Sequence, residues 1–389
     1  MGISALFASV IAAASALVNV PGVVVNHIPA SEERYVGSPS IAVLPDGAYI
    51  MTHDEFGPKA NNGTRAITRV FRSDDKGVTW KERPPIVEAF WSTVFTHRGA
   101  LYLIGQRNQD MDVVIRKSVD GGATWTTPAD KNSGLLAQGE FHCAPTPVLE
   151  HNGRLWRAME ILKGAGAFGH RFNASMLSVP VDADLLKAEN WTFSNALPRD
   201  PAWLDGKFNG WLEGNAVVSP EGGIVDVLRV DSPADREFAA IINITPDGKQ
   251  ASFDPKHGFT LFPGGSKKFT IRLDPVSKKY WSLSNYVPKQ FAGPSLSSVR
   301  NTLALISSPD LETWTVRCIV IHHPDPEKHG FQYVDWLFDG DDLIVANRAA
   351  YDDDQGGAHN FHDANFLTFH RIKNFRNLTM KDSVPGAPE

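Results

Sequence analysis

The chain has 389 residues, 42% of them apolar and 21% charged, which excludes a disordered chain, a collagen and a coiled coil. Its 38 Lys and Arg stand against 44 Asp and Glu, so a net charge of −6 leaves no basic field for nucleic acid or an anionic membrane surface. An anionic ligand must therefore be held by a local cluster of cations. With 32 Gly and 26 Pro spread along its length the chain reads as many short elements joined by turns, and 10 Trp and 22 Phe supply a β core or a sugar cleft.

Residues 1–19 are apolar and small, with an Ala-Ser-Ala step at 14–16, and read as a signal peptide. Sequons at Asn62, Asn173, Asn190, Asn243 and Asn377 fit a secreted, extracellular glycoprotein. Cys143 and Cys318 are too few for a disulfide scaffold or a four-thiolate zinc site and read as small buried side chains.

From residue 20 to about 380 the chain reads as one domain, with 381–389 as a tail. Six stretches alternate apolar and polar residues about a turn rich in Pro, Gly, Asp or Asn, beginning near residues 39, 91, 145, 214, 269 and 334. Each predicts a β-hairpin, and a third alternating run usually follows, as in ITRVFRS and TLALISS. This repetition predicts an all-β propeller of four-stranded blades, with VVVNHIP at 23–29 supplying the outer strand that closes the ring. Ser73–Trp80 and Ser118–Trp125 both fit S-x-D-x-G-x-T-W, and Ser308–Trp314 is a shortened copy. They resemble the Asp-boxes of sialidase-like propellers, where Asp caps a turn, Gly takes a positive φ and Trp plugs between blades.

In a propeller the start of each first strand and the end of each second strand meet on one face. Second-strand ends bring His53, Arg107, Arg229, Tyr286 and Arg348 there; entries to first strands bring His142, Trp211, Glu213 and Tyr333; entries to third strands bring His170, Arg171, Arg300 and His359. Such a set of His and Arg predicts a funnel for a carboxylate, which Arg grips in a fork. His53, followed by Asp54 and Glu55, is the candidate base, and His142 the second candidate for proton transfer. Arg107, Arg171, Arg229 and Arg348, with His170 and His359, are candidates for substrate binding, and Trp211, Tyr286 and Tyr333 for stacking on sugar rings. The loop at 352–365 offers oxygens to a hard cation, so a structural calcium ion stays open, but it lacks the spacing of a calcium loop and reads as a solvated loop closing over the funnel; His359 and His362 have no third ligand in register, so no metal site is assigned and no cofactor is required.

The stretches YVGSPSIAVLPDGAYIMTHDEFGP, GFTLFPGGSKKFTIRLDPVSKKYWSLSN and DGDDLIVANRAAYDDDQGGAHNFHDANFLTFHRI resemble propeller enzymes that remove terminal L-rhamnose linked α-1,4 to D-glucuronate in gum arabic-type glycans. That group comprises L-rhamnose-α-1,4-D-glucuronate lyases (polysaccharide lyase family 42) and α-L-rhamnosidases (glycoside hydrolase family 145). The resemblance spans about residues 20–375 and implies seven blades where the hairpins give six; it also carries His53. Sialidases share the Asp-boxes, but where they open the first strand with Arg-Ile-Pro this chain reads Gly37-Ser38-Pro39.

The expected activity is thus exo-acting β-elimination that frees L-rhamnose from the O4 of glucuronate, on an acidic polysaccharide. It needs cations to neutralise the uronate carboxylate, a base for the C5 proton and an acid for the departing oxygen. Hydrolysis by an α-L-rhamnosidase, which asks for two carboxyl groups across the bond, is the alternative; a non-catalytic glycan-binding propeller is the third.

Overall fold

The computed structural model describes residues 19–388 apart from 168, 234 and 294; the expected signal peptide lies almost wholly outside the described residues. Six antiparallel sheets follow one another along the chain. Blade 1 is Tyr35–Val43, Tyr49–Phe56, Ile67–Ser73 and Lys81–Val87. Blade 2 is Phe90–His97, Ala100–Gln106, Val113–Ser118 and Leu135–Ala137. Blade 3 has an interrupted inner strand, Phe141–His142 and Leu149–His151, before Arg154–Leu162, Phe172–Pro180 and Thr192–Phe193. Blade 4 runs Gly210–Val218, Ile224–Asp231 and Phe238–Ile244, with two short outer pieces. Blade 5 is Thr270–Leu273, Tyr280–Ser284, Thr302–Ser308 and Thr315–His322. Blade 6 is Gly330–Asp339, Asp342–Ala350 and Phe366–Ile372, completed by Val23–His27, which pairs antiparallel with Phe366–Ile372.

The six hairpins and the closing strand lie where the alternation places them, and the seven blades implied by the family resemblance are corrected to six among the described residues. Each blade buries one face against the next. The cluster of Trp281, Leu303 and Leu305 with Trp336, Leu343 and Val345 joins blades 5 and 6, each such side chain contributing about 1.5–3 kcal/mol by leaving water. Cys143 and Cys318 are free and buried, and no helix among the described residues is long and apolar enough to cross a membrane. The tail is not loose: Ser383 Oγ accepts the Ile319 N–H at 3.0 Å and the Val384 N–H reaches Ile319 O at 3.0 Å, docking it on the outer strand of blade 5.

Inside the ring, hydrogen bonds link the inner parts of neighbouring blades. Ser40 Oγ donates to Asp335 Oδ2 (2.9 Å) and accepts from Val94 N (3.1 Å). Thr93 Oγ1 donates to Thr146 O (2.9 Å), and Glu160 Oε1 accepts from Gly214 N (3.1 Å). Asn215 Oδ1 accepts from Ile271 N (3.0 Å), and Lys268 Nζ donates to Val334 O (2.6 Å). Every junction between blades is therefore tied at the axis.

The Asp-boxes build turns that reach the next blade. Asp75 Oδ1 accepts from Ser73 Oγ and Thr79 N, both at 2.8 Å, and Trp80 Nε1 donates to Gly77 O at 3.2 Å; Asp120 and Trp125 repeat the pattern. Gly77 has φ +92°, and a Cβ there would lie 2.2 Å from the Phe369 ring of blade 6. Gly77→Ala combines a left-handed backbone with overpacking at the closing blade, and is expected to destabilise by at least about 1–3 kcal/mol in urea unfolding. An unchanged midpoint would show the junction to be slack.

Candidate active site

Four inner strands carry a β-bulge at the same place. The register slips between Val36 and Pro39, Phe90 and Thr93, Leu212 and Asn215, and Gln332 and Asp335. The first residue inside each slip is Gly37, Trp91, Glu213 or Tyr333. Three of these are non-glycine residues with positive φ: Trp91 (42°), Glu213 (60°) and Tyr333 (54°). A bulge re-aims a side chain at the cost of local strain, and three in register at one mouth mark a built site. The second-strand residues just before the slips are Glu55, Gln106, Arg229 and Arg348.

Tyr333 is the centre of this set. Its ring lies between two guanidinium groups, Arg348 at 4.8 Å and Arg300 at 5.6 Å from the centroid. Arg300 and Arg229 both lie within electrostatic reach of the Tyr333 oxygen. Arg348 stacks over Phe56 (4.4 Å) and donates to His362 O (2.5 Å); Arg300 donates to Gln332 Oε1 and to Ser297 O (3.0 Å). Arg229 pairs with Glu213 at 2.9 Å. The three arginines are buried while Tyr333 is half-exposed, so the phenol is what a ligand meets first.

Burial alone would raise the Glu213 pKa, but Arg229, then His142, hold it below the usual carboxylate value. The same Glu213 charge keeps the Arg229 guanidinium charged against its desolvation. Desolvation lowers Arg348 to about 10, and also lowers Arg300. Cations held so dry, with few counter-charges, favour an anionic ligand. His142 closes the ring on the blade 3 side. It bonds Glu160 Oε2 at 3.0 Å, stacks on Phe172 and meets the Trp91 ring edge-on, both at 4.4 Å.

Asp54 lies beneath the blade 1 bulge. Gly37 is required there, since a Cβ would stand 2.1 Å from Asp54 Oδ2. Burial raises this carboxyl from 3.8 to about 7, more than Arg348 and the N–H groups around it lower it. A carboxyl raised on folding stabilises fully below its unfolded pKa and loses that contribution as pH rises through its folded value. Stability should therefore decline from about pH 4 to pH 7 and level off above. Asp54→Asn should flatten that decline in urea midpoints taken across the range; a slope equal to the wild type would assign it to other groups.

The structure brings together His142, Glu213, Arg229, Arg300, Tyr333 and Arg348 of the residues expected on this face, and moves the rest elsewhere. His53 is wholly buried between blades, with Nε2 bonded to Asn26 Nδ2 and Nδ1 to Asp54 O, both at 2.9 Å, and its ring stacked on Phe71. Burial lowers its pKa to about 4. It presents neither a lone pair nor a proton to the mouth, which corrects its assignment as the base. Trp211 is in the aromatic core with Trp203, Phe208 and Phe253, not on a sugar-binding surface. Arg107 is tied to Glu88, Asp112 and Pro128 O on the blade 2 rim, and Arg171 to Glu140 and Gly164 O. His170 sits in the neighbouring loop against Gly166. His359 bonds Asp363 at 2.7 Å and stacks on Tyr35. Tyr286 lines a groove with Pro263, Leu296 and Trp314 at the edge of blade 5. Trp91 went unnoticed in the sequence because nothing in an alternating pattern announces a bulge.

A cavity of about 520 Å³ opens at the other end of the inner strands. It is lined by the far ends of these strands, mostly apolar, with Val43, Phe95, Val217 and Ile271 among them; Arg272, its one charged side chain, is tied to Asp335 and Trp336 O.

No protein-family model and no curated protein matches the chain. Solved structures do. A Hadza microbial sialidase, Hz136, aligns at TM-score 0.60 and 13% identity over 90% of this chain and 68% of its own. An α-L-arabinanase of Penicillium chrysogenum, complexed with arabinobiose, aligns at TM-score 0.57 and 15% identity over 92% and 98%. The GH93 α-L-arabinofuranosidase of Fusarium graminearum aligns at TM-score 0.56 and 13% identity over 90% and 96%. The chain shares the β-propeller fold of these structures. These likenesses concern the backbone; the arrangement about Tyr333 is read from this chain's own residues.

Proposed function

We propose that this protein is a carbohydrate-active enzyme that cleaves the linkage to an acidic sugar, by β-elimination from a 4-linked uronate. The observation that carries this reading is Tyr333, held by a bulge among Arg229, Arg300 and Arg348. The arginines grip the carboxylate and match the charge that spreads onto it as the C5 proton leaves. The Tyr333 oxygen is the base that takes that proton. The electrons of the C5–H bond form the C4=C5 double bond, the C4–O4 bond breaks, and the same phenol returns a proton to the departing oxygen. One group serves both ends when proton and leaving group are on the same side of the ring. The half-exposed Trp91 supplies a stacking surface beside His142.

Support for a glycan substrate comes from the fold neighbours, which include an arabinanase bound to arabinobiose and sialidases. The sequence resemblance narrows the reading to release of terminal L-rhamnose from D-glucuronate in an extracellular plant-type polysaccharide. The test is to incubate the protein with gum arabic and record released rhamnose together with the ultraviolet band of an unsaturated uronate. Both should rise together. Rhamnose without the band would favour the second reading, hydrolysis, for which Glu213 is the carboxylate that Arg229 keeps ionised. Neither product would remove the substrate assignment.

A further inference from the structure

Outside the mouth, the segment leaving blade 5 and the loop leaving the second strand of blade 6 bring His323, His329 and Asp352 together. One ligand atom from each lies within 4.8 Å of the others. The two imidazoles stack with centroids 3.4 Å apart, and Tyr351 presses its edge against both.

His329 is oriented by an outer carboxylate. Its Nδ1 bonds Asp325 Oδ2 at 3.1 Å, the arrangement in which an outer carboxylate holds an imidazole so that Nε2 is the atom turned toward a metal. That Nε2 is buried, makes no hydrogen bond, and points at Asp352 Oδ2, 3.4 Å away. A buried, unbonded nitrogen costs stability unless something fills its lone pair. His323 lies alongside, its Nδ1 accepting only the long 3.2 Å contact from Asp325 N, which an ion can displace.

We propose that His323, His329 and Asp352 bind one zinc-class divalent transition ion, with Asp325 as the carboxylate that orients His329. Two imidazoles and one carboxylate suit a borderline ion such as zinc and leave a fourth position for water; calcium and magnesium ask for oxygen ligands. A small rotation of the two rings closes the set on the ion. The site ties both segments to Gly330, where the strand bearing Gln332 and Tyr333 begins, and so fixes the entry of that strand without taking part in the chemistry.

The test needs no substrate. Chelator-treated full-length protein is titrated calorimetrically with zinc chloride and, separately, with calcium chloride. One zinc per chain is expected, and no calcium. Asp352→Asn changes an exposed side chain and should weaken zinc binding about ten-fold or more, as should Asp325→Asn through its hold on His329. His323→Ala should abolish binding. His257→Ala, at an exposed histidine paired with Asp254 elsewhere, should leave it unchanged. No zinc uptake by the wild type, or equal affinity in His323→Ala and Asp352→Asn, overturns the site.

Discussion

Tyr333→Phe should lower kcat on an acidic glycan by about 10²- to 10⁴-fold, the range that a positioned proton-transfer group contributes. The substitution removes one oxygen and keeps the ring between Arg300 and Arg348. The positive φ at Tyr333 costs Phe no more than Tyr, so the bulge should persist. KM should therefore change little, because the arginines that grip the carboxylate stay in place. Circular dichroism and the thermal midpoint serve as controls for the fold. A variant retaining wild-type kcat would show that the proton moves through another group, and His142 would then be the next to replace.

The second large effect is on stability. Arg229→Met leaves the Glu213 carboxylate buried without its partner, and breaking such a pair from one side costs about 3–5 kcal/mol. That is a large share of the roughly 5–15 kcal/mol by which folded domains are held. The partner experiment separates charge from packing. Arg229→Met combined with Glu213→Gln removes both charges and should recover much of the loss, with the urea midpoint as readout. A single variant as stable as the wild type would mean that water or another cation reaches Glu213. Both variants should lose binding of a uronate, whatever their stability.

The order of hairpins, the boxed turns and the closing strand were legible because period-two alternation and turn chemistry are local. What alternation cannot reveal is a change of phase. By the pairing of the strands, His53 corresponds to Ile104, Val227 and Ala346, all beyond the bulge and facing core between blades. The blade 1 counterpart of Arg229 and Arg348 is Glu55, two residues further on, and it is bound by Arg34 and Arg69. Reading His53 as a strand-end residue missed this because the strand runs on to Phe56. The same shift explains Trp211 and Glu213: they have equal parity, yet the positive φ at Glu213 turns one into the mouth while the other stays in the core. Arg229, Arg348 and Tyr333 were found because they lie at or before the slips, where counting from strand ends still holds.

The pairing of Val23–His27 with Phe366–Ile372 bears on how the chain is made. Val23–His27 is synthesised long before Phe366–Ile372, so through most of the making of the propeller the closing strand has no partner. Until the two pair, Val23–His27, and afterwards the unfinished outer edge of Phe366–Ile372, are open to mispairing with other copies. Completion of the toroid should appear as a late, concerted step in refolding, and fragments ending before residue 366 should accumulate as aggregates instead of as shorter propellers.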